Sequence, residues 1–429
     1  MRAIRFAVSA ALLSVASAWA AGPTDFHLQN GDRVVFYGDS ITDQRLYTSL
    51  IETYVALHYP ERAISFVNSG WGGDTVGGGG GGTIDTRLQR DVFAYQPTVV
   101  TIMLGMNDGG YHAENQENDQ KYFTGVHHIV DTLRQQLPNS RLVLIEPSPY
   151  DEVTRSPAAP VVDGSSYNDV LRSYGKWLAN YAVQSGMQSI DLNSGMQSML
   201  VNANRLDPEG SKGIVPDHIH PSFAGHLFMA AEILKAWGAK PVVSAVALDA
   251  SKPAIRIEST QSAKVSGLSG GEEIAWTELD DALPLPFAQW QGMWGAGPVS
   301  LVLRSSEITQ DLNQQILKVK GLKSGTYSLK IDGSSVGAFN NEEFGAGINL
   351  AVLKTPATDQ ALKVYQLAVS HEEIHFDQWR NVQIALQDYS LAEVQPASAA
   401  FKSLDDAVAG KMRAAGRPVE HRFEIVPIS

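Results

Sequence analysis

The chain has no cysteine in its 429 residues, which excludes disulfides, thiolate nucleophiles and thiolate metal sites together. Its stability must come from buried apolar area. Charged residues are scarce as well, at 18%, and acids outnumber bases 46 to 33, giving a formal net charge of −13. Such a surface offers no basic patch for nucleic acid or for an anionic membrane. Small neutral or cationic ligands suit it better. Long apolar runs are missing beyond the amino end, where none reaches the ~20 residues that a membrane-spanning helix needs.

What the chain does have begins with a leader. Arg2 and Arg5 precede an apolar run from Ala7 to Ala18 that ends in Ala18-Trp19-Ala20, the layout of a secretory signal with a small-residue cleavage site. Cleavage is expected after Ala20. The mature protein is then secreted or periplasmic and does not insert into the membrane.

The length exceeds what one ordinary domain holds. From Val34 to Trp237, short apolar runs alternate with helix-length amphipathic segments. That alternation predicts βαβ crossovers and a parallel sheet between helical layers, a three-layer α/β/α domain over residues 21–240. After Lys240-Pro241 the pattern shortens. Runs at Val243–Leu248, Ala254–Glu258, Ser300–Arg304, Gln315–Val319 and Tyr327–Ile331 predict strands, with helix-like stretches near Asp359–Ser370 and Ala400–Ala414. Residues 241–429 are thus expected to form a β-rich accessory domain with one or two helices.

Four blocks carry chemistry: Gly38-Asp39-Ser40, Asn68-Ser69-Gly70-Trp71-Gly72-Gly73-Asp74-Thr75, Gly105-Met106-Asn107-Asp108 and Asp217-His218-Ile219-His220-Pro221. The first three directly follow predicted strands, so they belong on one rim, where parallel sheets gather their ligands. Each block alone has a plainer reading. A Gly-Asp-Ser at a strand end is often only a turn with a helix cap, and an Asp-x-x-His is common. Together, and in this order, they resemble the SGNH, or GDSL-type, esterases and acetylesterases.

The resemblance implies a flavodoxin-like hydrolase domain and a serine esterase that needs no cofactor and no metal. It implies Ser40, Asp217 and His220 as a triad. It also implies an oxyanion hole made of the Ser40 and Gly73 backbone N–H groups and the Asn107 side chain, with Gly70 and Gly72 as near alternatives to Gly73. The residue chemistry agrees, because a serine hydroxyl needs a base to take its proton and that base needs a carboxylate to fix its tautomer. Such a base must be unprotonated, so activity is expected to rise through neutral pH.

Other candidates compete. His218, beside Asp217, is a rival base and could pair with His220 on a metal, although no third ligand is evident. Asp39, Asp43, Asp74 and Asp108 read as loop braces, and Trp71 and Asp39 are also candidates for substrate contact. The hexaglycine Gly77–Gly82 predicts a flexible loop bordering the site, open to substrate or to a neighbouring loop. Gly267-Leu268-Ser269-Gly270-Gly271 matches a nucleophile elbow in pattern, but its flanks favour a turn.

Trp290 and Trp294 are aromatic faces suited to sugar rings. The reading is therefore an exported esterase for short acyl groups, acetyl foremost, on small-molecule or saccharide esters. A non-catalytic carbohydrate-binding protein and an O-acyltransferase with the same triad are the alternatives.

Overall fold

The computed structural model describes residues 25–156, 165–252 and 254–428. The expected leader and its cleavage site lie outside them. Among the described residues no helix is long and apolar enough to cross a membrane.

The first half is built on a five-stranded sheet of β1 (Arg33–Gly38), β2 (Ser65–Gly70), β5 (Val99–Met103), β6 (Arg141–Ile145) and β7 (Gln188–Ile190). Its order is β2-β1-β5-β6-β7, and every pairing is parallel. Helices flank it. Leu46–His58 packs on Phe223–Ala236. Gln116–Gln136 meets Tyr167–Gln184 through rings of Tyr122 and Tyr174 stacked 4.0 Å apart. Strands covered on both sides are near-continuous apolar runs, and all five residues of β5 are buried, Thr101 being its one polar residue. Register pairs Gly38 with both Gly70 and Met103, so the loops after β1, β2 and β5 leave the sheet at one level.

Two short strands, β3 (Gly78–Gly79) and β4 (Gly82–Thr83), form a hairpin inside the hexaglycine. Where a loose loop was expected, the tract is an ordered turn. Thr75 and Gly78 exchange backbone hydrogen bonds, and Ile84 N–H donates to Gly77 O.

The second half supplies β8 (Val242–Asp249), β9 (Arg256–Gln261), β10 (Ala263–Ser269), β11 (Ile274–Asp280), β12 (Gln314–Lys320), β13 (Thr326–Ile331), β14 (Ser334–Asn340), β15 (Ile348–Asn349) and β16 (His421–Ile428). They make two sheets, β10-β11-β16-β13-β14 and β15-β12-β8-β9. These share a core of their own that includes Trp276, Leu317, Leu329, Phe344 and Phe423.

Space and sequence divide differently, however. Residues 283–312 and the helices Pro356–Phe376 and Val394–Ala415 bury side chains such as Trp290, Val302, Tyr365 and Met412 in the core of the first half. Residues 241–429 are therefore not one separate β-rich body. The strand expected at Ser300–Arg304 is a helix, Val299–Arg304, whose Val299, Leu301 and Val302 are buried on Phe223–Ala236. A run that short satisfies either period, and the neighbouring helix decides. The Gly-x-Ser-x-Gly segment ends β10 and leads into antiparallel β11, with no helix after it.

Candidate active site

β1 stops at Gly38, and Asp39 turns the chain into the short helix Ser40–Asp43. The Asp39 carboxylate accepts from Ile41 N–H at 3.0 Å, which caps that helix. Asp39 is 2% exposed and burial pushes its carboxyl up to about 7. It cannot reach a substrate, so only its expected brace role fits.

Ser40 Oγ lies 2.8 Å from His220 Nε2, and His220 Nδ1 lies 2.7 Å from Asp217 Oδ2. A carboxylate only accepts, so Nδ1 carries the imidazole proton and Nε2 is left to accept from the serine hydroxyl. Asp217 is itself fixed, because its Oδ1 accepts from the backbone N–H groups of Ile219 at 3.0 Å and His220 at 2.7 Å. Burial raises its carboxyl, but these donors and the imidazole outweigh that and hold it below its ordinary value.

His218 is turned elsewhere. Its backbone has φ +73°, its Nδ1–H donates to Asp151 O at 2.7 Å, and its ring stacks on Tyr150 at 5.2 Å. It packs the turn, while His220 is the histidine at Ser40.

The loop after β2 is clamped from several sides. A Cβ on Gly70 would collide with the Asp43 backbone nitrogen, so only glycine lets the two turns touch. Gly72 N–H donates to Asp43 Oδ2 at 3.2 Å. Gly73 follows at φ +78°, and among the described residues its N–H has no acceptor. The Ser40 N–H, in the first turn of its helix, is likewise unengaged.

Asn107 is oriented at both ends: Nδ2 donates to Asp74 O at 2.9 Å and Oδ1 accepts from Tyr111 OH at 2.9 Å. That leaves one amide hydrogen. Asp108 accepts from Val76 N–H at 2.9 Å, with burial pushing its carboxyl up to about 7. Asp74 accepts from the buried Arg87 at 2.8 Å. Asp108 thus ties loop to loop, and Asp74 ties the loop after β2 to the helix Ile84–Asp91.

Trp71, expected near substrate, is packed instead. The Arg380 guanidinium lies 3.4 Å from its ring centre and Trp379 meets it edge-on at 5.8 Å. The hexaglycine passes beneath, where a Cβ on Gly81 would stand 2.6 Å from the indole. The missing side chains thus admit a neighbouring ring.

An open cleft of about 410 Å³ is lined by Ser40, Asp43, Gln44, Arg45, Asp217, His220 and Phe376. Arg45, at φ +60° between the first two helices, lies over the Phe376 ring at 4.0 Å and pairs with Glu373 at 3.1 Å. Of the two tryptophans proposed as sugar faces, Trp290 is wholly buried while Trp294 is 98% exposed.

Sequence reasoning missed Arg45, Tyr111, Phe376, Trp379 and Arg380. The aromatic and histidine-rich run His371–Arg380, standing in an otherwise strand-like half, was the available signal for the last three.

A serine hydroxyl, an imidazole, a carboxylate and unengaged N–H donors on one rim make an arrangement that can support acyl transfer. Residues 36–227 match the model of the GDSL-like lipase/acylhydrolase family, and this part of the chain belongs to that family. An acetylxylan esterase of Geobacillus stearothermophilus is 26% identical over 227 residues, 49% of this chain and 95% of that protein. A GDSL esterase/lipase of Arabidopsis thaliana is 26% identical over 216 residues, 44% of this chain and 84% of that protein. A solved structure of a gut microbial diltiazem-metabolizing enzyme superposes with TM-score 0.79 at 27% identity, covering 94% of this chain and 99% of its own. Each of the two esterases matches less than half of this chain. The solved structure covers nearly all of it.

Proposed function

We propose that the protein is an exported serine esterase that removes short acyl groups, acetyl foremost, from small-molecule or saccharide esters. One observation carries the reading: the Ser40–His220–Asp217 line, with steps of 2.8 and 2.7 Å, borders an open cleft of about 410 Å³. Ser40 Oγ attacks the ester carbonyl while its proton passes to His220 Nε2, and Asp217 steadies the imidazolium that forms. The oxyanion is held by the N–H groups of Ser40 and Gly73 and by the free Asn107 amide hydrogen. His220 then protonates the departing alcohol as the C–O bond breaks. Water, losing a proton to His220, releases the acid and returns the hydrogen to Ser40.

The saccharide half of the proposal draws on the acetylxylan esterase relative, matched over 95% of its length. An exposed cleft lined by Gln44, Arg45 and one aromatic ring suits a bulky polar alcohol better than a long lipid chain. Export rests on the leader at residues 1–20.

The test is turnover of p-nitrophenyl acetate and of acetylated xylo-oligosaccharide, with free acetate measured in the presence of an acceptor sugar. Wild type should release acetate from both, and Ser40→Ala should lose about 10⁴-fold or more of that rate. Unimpaired release by the serine variant contradicts the mechanism, and acetyl appearing on the acceptor would make the enzyme a transferase.

A further inference from the structure

Building on the proposed esterase chemistry, we propose that Arg380, from the second half of the chain, is a positioning residue that sets the oxyanion loop after β2. Its Nη2 donates to Asp43 Oδ1 and to Gly70 O, each at 3.0 Å. Asp43 uses its other oxygen to hold Gly72 N–H at 3.2 Å. One guanidinium thus fixes the loop twice, directly at its start and through a carboxylate two residues on. With Gly72 N–H committed, the following N–H, that of Gly73, is the one left to face a developing charge.

The cation also closes the loop from above. It lies 3.4 Å from the Trp71 ring centre, 4.7 Å from Trp379 and 5.4 Å from Phe376. A guanidinium stacks on indole while still hydrogen-bonding in its own plane, which an ammonium cannot do. Because Trp71 stands between Gly70 and Gly72, fixing its ring fixes the backbone on both sides. Arg380 does not line the cleft, so it acts through the loop and not on the substrate.

The helix that carries it is irregular at this place. Pro356–Phe376 runs on as a π-helix over Asp377–Ile384, a form that is rare and recurs at functional sites. Adjacent residues of a regular helix do not face one target together. Here Trp379 and Arg380 both do: Trp379 Nε1–H donates to Asp91 Oδ1 at 2.7 Å under Trp71, and Arg380 grips the loop above. The widened turn is the local device for that placement.

The test compares full-length wild type with Arg380→Gln, Arg380→Lys, Arg380→Ala, Asp43→Asn and the Arg380→Ala/Asp43→Asn double variant. A displaced oxyanion donor should cost part of the roughly 10² to 10³ that a deleted one costs. The expected result is a kcat on p-nitrophenyl acetate about tenfold to a hundredfold lower in Arg380→Gln and Arg380→Ala, with little change in KM. Arg380→Lys should recover only part of it, free guanidinium at low millimolar concentration should partly restore Arg380→Ala, and the double variant should be no worse than the poorer single one.

Amide exchange gives a readout independent of turnover, with faster exchange at Gly72 in Arg380→Gln. Phosphonate labelling of Ser40 counts the folded fraction, so a folding defect shows as lost stoichiometry rather than lower kcat per labelled site. Wild-type kcat and Gly72 exchange in Arg380→Gln overturn the inference. So does a loss that scales with the labelled fraction, without guanidinium rescue. If wild type proves inactive on esters, the proposed function fails, and Gly72 exchange alone then decides the role of Arg380.

Discussion

Two of the tryptophans that the second half buries, Trp276 and Trp379, are buried to different ends. In the sandwich, Trp276 of β11 stacks on Phe423 of β16 at 5.1 Å among apolar side chains, and its indole donates to Glu278 of its own strand at 2.8 Å. In the helical arm, Trp379 is equally buried, but its indole donates to a carboxylate of the first half, that of Asp91, which also holds Arg87 and Arg90. The sandwich stabilises through area removed from water, which tolerates small displacements. The arm works through directed polar contacts to the rim, where a displacement of a fraction of an ångström matters. The arm is inserted between β15 and β16 of the sandwich, so one region of sequence carries both a stabilising body and a support for the proposed active site.

The comparison can be broken by separating activity from stability. The largest effect on activity in this set belongs to the rim itself. Asp217→Asn preserves shape but fails to hold the working tautomer, and kcat should fall about 10⁴-fold while the melting temperature moves little. Kinetics beside a melting curve checks this, and a variant that keeps its rate removes Asp217 from the relay.

Arg380→Gln comes next, with its smaller kinetic loss at near-native melting temperature. Trp276→Ala should do the reverse. Removing that fully buried side chain should cost about 3 to 5 kcal/mol and show as a lower melting transition, with kcat well below that transition within about twofold of wild type. A large fall in kcat there, at full phosphonate labelling, would mean that the sandwich also sets the rim.

Much of the first half was legible because its signals are local. β1 and β5 are runs of buried residues, and the motif blocks follow strand ends that register brings level. Those blocks picked out Ser40, Asp217 and His220, but not Gln44, Arg45 or Phe376, which line the same cleft. The helix Asn193–Leu206 escaped notice because Asn193, Ser194, Gly195, Asn202 and Asn204 are weak helix formers, although Met196, Met199, Leu200 and Ala203 keep helical spacing and are buried.

What surrounds the site was less legible, because distant contacts decide it. Trp71 reads as an aromatic face for substrate until Arg380 is found stacked on it. The hexaglycine reads as slack until Trp71 is found against it. Neither neighbour can be inferred from the residues beside them in the chain. Likewise, the boundary expected at residue 240 follows composition, whereas the helices that return to the first core do so through side chains such as Tyr365 and Met412 that any helix could bury.

The central claim is that Ser40 becomes a nucleophile because His220 and the rim make it one. Treatment of the intact protein with diisopropyl fluorophosphate, followed by peptide mass analysis, addresses this most directly. The account predicts one stoichiometric adduct on the peptide holding Ser40, formed slowly or not at all in His220→Ala. An unlabelled Ser40 in folded wild-type protein, or an adduct on another serine that tracks the loss of esterase activity, would contradict it.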